Sequence, residues 1–213
     1  MGHSFWRGKE MDKQNVKIET EKMLAGEIYD PMEKDLVSLR QRAHRLSKEY
    51  NECLETDEKR EQILDELMPN RGKNVYLQSP VQFDYGRFTQ MGENSYANFN
   101  FTCLDCAPVI IGKNVFMGPN VSLLTPVHPM HYQDRNMYRR VDGVMTDKEY
   151  ARPIVIGDNC WLAGNVTVVG GVTIGEGCVI GAGSVVTKDI PAGMFAAGVP
   201  CRVIREITEE DKL

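Results

Sequence analysis

Between Ile156 and Pro191 the apolar residues return every six positions. The stretch divides into IGDNCW, LAGNVT, VVGGVT, IGEGCV, IGAGSV and VTKDIP, each opening on a branched apolar residue. The fifth position is Cys160, Val166, Val172, Cys178, Ser184 and Ile190, while Gly, Asn, Asp and Lys collect in between. An α-helix needs apolar spacing near 3.6 and does not tolerate this much Gly, and a hairpin meander does not repeat at so short and fixed an interval. The pattern predicts a parallel β-helix, in which each hexad is one short strand plus a corner and its first and fifth residues point inward. Three hexads close a turn. Residues one turn apart then stack at the strand spacing of about 4.8 Å, which sets Ile156 on Ile174 and Cys160 on Cys178.

Upstream the same phase is interrupted twice. From Val75 the composition turns to β-branched, aromatic and Gly residues, and MGENSY leads into ANFNFT. Met91 to Ile111 is two residues longer than one turn, so the coil near CLDCAP must bulge. IGKNVF and MGPNVS restore the phase, which fails again after Val127. The segment 129–153, carrying Arg135, Arg139, Arg140, Asp142, Asp147 and Arg152, is read as a loop that leaves the prism. Loops longer than about 12 to 15 residues in a compact domain are usually functional or disordered.

Before the coils the periodicity is helical. A short helix is expected from Thr20 as N-cap to Gly26. The run Asp30-Pro31-Met32-Glu33 reads as the capped start of a second, with Pro at its first position. Leu36, Leu39, Ala43, Leu46 and Tyr50 give that helix one apolar stripe. A third opens near Thr56, carries Ile63, Leu64 and Leu67, and ends at Met68-Pro69. A solenoid leaves unpaired strand edges at its open end, and a helical segment ahead of the first coil is suited to cover them. The fold class is therefore mainly β: an extension over 1–19, an α-helical cap over 20–70, a parallel β-helix domain over 71–208 with the extruded loop 129–153, and a tail over 209–213.

Composition narrows the function. The 213 residues carry a net charge of -5, which argues against non-specific binding to nucleic acid or anionic membranes. No apolar run approaches a membrane span and no secretion signal is visible, so a cytoplasmic protein with no membrane or nucleic-acid partner is expected. The six cysteines fit reduced thiols. Cys103-Leu-Asp-Cys106 lacks the further ligands a tetrahedral zinc site wants, and no metal is expected. Neither a P-loop nor a dinucleotide-binding fingerprint occurs.

Five segments in order, LAGEIYDP, ANFN, TPVHP, IGAGSVVTKDIP and AAGVPCRVIREI, resemble the hexapeptide-repeat acyltransferases with a left-handed β-helix, and among them the maltose/galactoside O-acetyltransferases. The resemblance spans about residues 20 to 208. It implies transfer of an acetyl group from acetyl-CoA, as co-substrate, to a sugar hydroxyl, and a homotrimer whose donor and acceptor meet between subunits.

On residues alone His128 is a solvent-facing His at the base of the loop, structural or catalytic. The resemblance makes it the general base, with its imidazole to take the hydroxyl proton. Asn98 is, by resemblance, the amide at the reacting centre, and otherwise a corner Asn with left-handed backbone. The resemblance maps the acceptor site onto Asp30, Arg40, Asp84, Asn98 and Cys106, with an N-cap role open for Asp30 and a solvated helix position for Arg40. Cys106 departs from galactoside-acetylating relatives, which hold a carboxylate there, with Asp105 adjacent here. The donor would lie along Gly164 and Ala182 toward Thr187 and Lys188, with Arg202 and Arg205 closing a positive patch for the coenzyme A phosphates. Ordinary coil packing and a solvated strand are the plain alternatives. The competing functions are a streptogramin-type drug acetyltransferase, which shares the coil but not the AGEIYDP cap, a metal enzyme resembling γ-carbonic anhydrase, and a non-catalytic scaffold. His3, His44, His128 and His131 are the histidines available, and two lie outside the coils.

Overall fold

In the computed structural model, which describes residues 18–213, every first and fifth hexad position from Ile156 to Ile190 is buried. Ile156 pairs with Ile174, Leu162 with Ile180 and Val168 with Val186, all in parallel, so the eighteen-residue turn is observed. Burying each such aliphatic side chain contributes about 1.5–3 kcal/mol, and this ladder is the core.

The coils form three flat faces. The first holds Asn70–Arg71, Thr89–Met91, Val109–Ile111, Ile154–Ile156 and Thr173–Ile174. The second runs from Tyr76–Leu77 through Tyr96–Ala97, Phe116–Met117, Trp161–Leu162 and Val179–Ile180 to the closing hairpin Met194–Gly198 and Cys201–Glu206. The third holds Val81–Phe83, Phe101–Leu104, Ser122–Leu124, Thr167–Val169 and Val185–Val186. Left-handed asparagines turn the corners. Asn100, Asn120 and Asn165 have φ near +60° and form a ladder of side-chain hydrogen bonds at 2.9 and 3.0 Å.

All the irregularity enters at one corner, between the third face and the next strand of the first. Asn70 pairs with Gln90 and Thr89 with Val109, twenty residues on, because Asp84–Phe88 and Asp105–Pro108 each lengthen that corner. The expected bulge is thus present in two successive coils. The next coil extrudes its loop at the same corner, between Leu124 and Ile154.

The helices cover the open end. α1 spans Glu19–Leu24, α2 Lys34–Glu52 and α3 Lys59–Leu67. Three boundaries differ from expectation. Thr20 lies inside α1. Asp30 and Pro31 form a turn, with the Asp30 carboxylate accepting from the Met32 amide, and Glu33 is the N-cap of α2. Thr56 precedes α3, in a turn where Asp57 accepts from the Leu54 amide. What was read as an extension over 1–19 lies outside the described residues up to residue 17, and Glu19 already belongs to α1.

Capping is accomplished by hydrogen bonds as well as burial. Asn51 on α2 accepts from the Val81 amide at 2.8 Å and donates to the Val81 carbonyl at 2.9 Å, standing in for a neighbouring strand at the edge of the third face. On the second face the Leu77 carbonyl accepts from the Tyr50 hydroxyl and the Arg60 guanidinium, each at 2.7 Å. Satisfying such buried groups contributes about 1 kcal/mol apiece and avoids a larger desolvation loss. No helix among the described residues is long and apolar enough to cross a membrane.

Candidate active site

The lengthened corner is built around a buried carboxylate. Asp105 points inward and accepts from the amides of Tyr85, Gly86 and Phe88 at 2.8, 3.0 and 3.2 Å and from the Thr89 hydroxyl at 3.1 Å. Burial pushes its pKa up against these donors. Gly86 has φ +70°, and a Cβ there would lie 2.4 Å from the Leu67 carbonyl oxygen, so the corner packs directly on α3. Asp105 therefore holds the corner rather than offering a carboxylate beside Cys106.

The corner presents Asp84, Tyr85 and Cys106 toward α2. The Cys106 thiol donates to Asp84 Oδ2 at 3.5 Å, and His44 Nε2 lies 3.7 Å from Asp84 Oδ1. Arg40 donates to the Tyr85 hydroxyl at 3.1 Å and to the Pro31 carbonyl at 3.2 Å. Burial alone would lower the Arg40 pKa, but Tyr85, Asp84 and Glu149 raise it, so the guanidinium stays charged. Arg40 is thus a held residue and not a solvated one. Burial, with Asp84 next in size, pushes the Cys106 thiol far above its ordinary range.

The loop carries the base candidate. Pro126–Val127 pairs antiparallel with Tyr150–Ala151, so Val127 has left the prism and His128 stands at the end of a two-stranded ribbon rather than on a coil strand. Its side chain is 45% exposed. Nδ1 lies 3.2 Å from Asp147 Oδ2 and Nε2 lies 3.6 Å from Glu149 Oε1, both on the returning limb of the loop. Glu149 also accepts from the Tyr29 hydroxyl at 2.5 Å, and the two residues are joined by a backbone bridge. Burial pushes the Tyr29 phenol well above its ordinary range. His128, Asp147 and Glu149 bring their ligand atoms within 4.8 Å of one another, a donor set that a divalent cation could share. Cys103 and Cys106 are both buried, Cys103 in the core of the coils and Cys106 in a separate cluster with Tyr29, Leu36 and Tyr85.

Asp30 ties this limb to the cap. Its carboxylate accepts from Arg140 at 2.6 Å and from the Thr146 hydroxyl, and Arg140 also pairs with Asp142. A short helix, α4 (Tyr132–Arg135), lies in the outer part of the loop, where His131 stacks on Tyr132 with ring centroids 4.9 Å apart. Asp30, Arg40, Asp84, Cys106 and His128 therefore gather at one corner. Tyr29, Asp147 and Glu149 belong with them and were missed by sequence reasoning; only the adjacency of Tyr29 to Asp30 hinted at it.

Asn98 is elsewhere. It follows Tyr96–Ala97, at the corner between the second and third faces, and its Oδ1 accepts from the Phe99 amide at 2.8 Å. It is not one of the left-handed asparagines, which removes that structural explanation for it. Gly164 and Ala182 turn the same corner in later coils. Beside it runs a groove floored by Tyr96, Phe116, Met117 and Trp161. Of the donor-side cations, Arg205 is paired with Asp211 at 2.6 and 2.8 Å, which reduces the positive patch, and Arg202 donates to the Cys201 carbonyl. Thr187 and Lys188 are exposed just beyond Val185–Val186.

Residues 22–72 match the maltose acetyltransferase hexapeptide capping motif, and residues 153–188 match the bacterial transferase hexapeptide of six repeats. The galactoside O-acetyltransferase of Escherichia coli (strain K12) is 44% identical over 194 residues, covering 91% of either chain. The maltose O-acetyltransferase from Clostridium difficile 630 superimposes with a TM-score of 0.83 at 42% identity, covering 92% of this chain and 100% of that one. A galactoside acetyltransferase in complex with coenzyme A gives 0.83 at 42% identity, covering 92% and 94%.

Proposed function

This chain belongs to the hexapeptide-repeat acetyltransferases, in their maltose and galactoside branch, and from that premise we propose that it moves the acetyl group of acetyl-CoA to a hydroxyl of a sugar of the maltose, glucose or galactoside type. The observation that carries this reading is His128: solvent-accessible, raised on the ribbon, and set at the corner that also gathers Asp84, Cys106, Arg40 and the latched Asp30. A sugar hydroxyl is too weakly acidic to attack a thioester unaided. His128 takes its proton as the oxygen attacks the acetyl carbonyl, and returns a proton to the departing coenzyme A thiolate. Asp84 and Arg40 offer one acceptor and one charged donor for the neighbouring sugar hydroxyls. The coenzyme A bound by the galactoside-acetylating relative supports acetyl-CoA as the donor.

On the donor side the proposal uses Asn98 with the small corner residues Gly164 and Ala182, then Thr187, Lys188, Arg202 and Arg205 for the distal amides and phosphates. Because Asn98, Gly164 and Ala182 lie at a different corner from His128, the complete site takes its two halves from adjacent copies in a homotrimer. The outer stripe Tyr76, Tyr96, Phe116, Trp161 and Phe195, aligned by the strand register, supports such packing. Phe116 and Trp161 are 55% and 53% exposed in the single chain, and stripes of that kind mark interaction surfaces.

The test is coenzyme A thiol release over a panel of sugars and hydroxylated drugs, with His128→Ala beside wild type. A general base contributes about 10² to 10⁴ in rate. The variant should lose that factor in kcat while its calorimetric Kd for acetyl-CoA is nearly unchanged. A fall of less than about tenfold, below the low end for a general base, refutes the mechanism, and drugs preferred to sugars refute the acceptor class.

A further inference from the structure

The two carboxylates at the His128 ring are not equivalent. Glu149, at Nε2, is already engaged: its other oxygen accepts from the Tyr29 hydroxyl at 2.5 Å. Asp147, at Nδ1, has no other ion-pair or hydrogen-bond partner for its carboxylate among the described residues, and its side chain is only 20% exposed. Its backbone is held as well. Thr146, immediately before it, is fully buried and donates to Asp30, and Glu149, two residues on, bridges to Tyr29 through the main chain. A carboxylate so fixed within hydrogen-bond reach of Nδ1 selects the tautomer with its hydrogen on Nδ1 and leaves the lone pair on Nε2.

We infer that Asp147 is a positioning residue for the transfer, accepting from His128 Nδ1–H so that Nε2 is the basic nitrogen and the ring plane is fixed. The inference rests on His128 being the base. The proton balance is simple. Nε2 takes the hydroxyl proton as the new C–O bond forms, the C–S bond breaks, and Nε2–H protonates the coenzyme A thiolate; the Nδ1 hydrogen stays on the ring throughout. Asp147 offsets the positive charge that the ring carries between these steps. Glu149, whose Oε1 lies 3.6 Å from Nε2, is held through its other oxygen by Tyr29. Arg40 on α2 acts on Glu149 through space, and Asp84 acts on Arg40 in the same way.

The experiment compares Asp147→Ala, Asp147→Glu and wild type in the full chain, using acetyl-CoA and whichever panel sugar the wild type acetylates fastest. Asp147→Ala should lower kcat at least tenfold and move KM for either substrate by less than threefold. Asp147→Glu should recover part of the loss. In a His128→Ala background Asp147→Ala should cost nothing further, since residues acting as a unit are not additive. Nitrogen-15 NMR of histidine-labelled protein should show His128 as the Nδ1–H tautomer in wild type and as Nε2–H in Asp147→Ala. An unaltered acetyl-CoA Kd checks that the variants are folded. Wild-type kcat in Asp147→Ala, an unchanged tautomer, or additive losses in the double variant each overturn the inference. These results are distinct from failure of the base assignment itself, which would appear as turnover retained in His128→Ala.

Discussion

Asn98 and His128 stand at different corners of one prism: Asn98 ends a strand of the second face, whereas His128 follows the ribbon that leaves the third. The proposed function has both act on one substrate, across a contact between copies. Sites are then shared between copies, and the prediction is complementation. Asn98→Ala and His128→Ala should each be nearly inactive alone. When the two are denatured together and refolded in equal amounts, random closed trimers leave roughly a quarter of the sites with both residues intact, and activity should return to about that level. Light scattering of the wild type should give three times the chain mass. Failure of the mixture to regain activity, or an active monomer, would show that each chain carries a whole site.

The fold was legible in the hexads because burial in a β-helix is strictly periodic: one turn places Ile156 on Ile174 whatever surrounds them. The cap was legible as helices, though not its termini. At Asp30 the side chain had two suitors, a helix start and the loop, and Thr146 and Arg140 won over the cap position. His128 was a candidate from its place at the loop base and from the family resemblance, and the structure sets it beside Asp147 and Glu149. Asp147 and Glu149 were not legible, since an extruded loop has no period and the contact of Tyr29 with Glu149 spans 120 residues of sequence. The structural part of Asp105 was not legible either, since only the stacked, lengthened corners reveal the three amides it accepts from.

Cys106 lies at the acceptor corner and is the thiol that could compete with direct transfer. Its burial and its neighbour Asp84 both oppose ionisation, and a thiol held neutral is a poor nucleophile. Direct transfer in a ternary complex is therefore expected. Initial-rate double-reciprocal lines should intersect, and Cys106→Ala should keep kcat within about threefold, because no covalent step passes through it. Parallel lines together with an acetylated Cys106 in the mass spectrum would reverse this reading.

Asp30 fastens the loop to the cap, and its charge sets when the fastening holds. Burial of the carboxylate works against ionisation, but hydrogen bonds from Thr146, Arg140 and the Met32 amide outweigh it and hold the pKa below the usual range. The sign follows from linkage. A folded-state pKa below the unfolded value of about 3.9 means that the contribution is complete above about pH 4 and drains as pH falls through the folded value. Asp30→Asn should therefore lower the melting temperature by about 2–4 °C at neutral pH, and the gap to wild type should close as both are acidified below about pH 4. The local consequence is larger than the global one. Amide exchange in the limb from Tyr138 to Thr146 should quicken in the variant, and the acceptor KM should rise severalfold while the acetyl-CoA Kd stays put, because Asp30 is bonded to Arg140 and Thr146 and to none of the proposed donor residues. If exchange in that limb is unchanged, or if the stability gap persists undiminished into acid, Asp30 does not act as the latch.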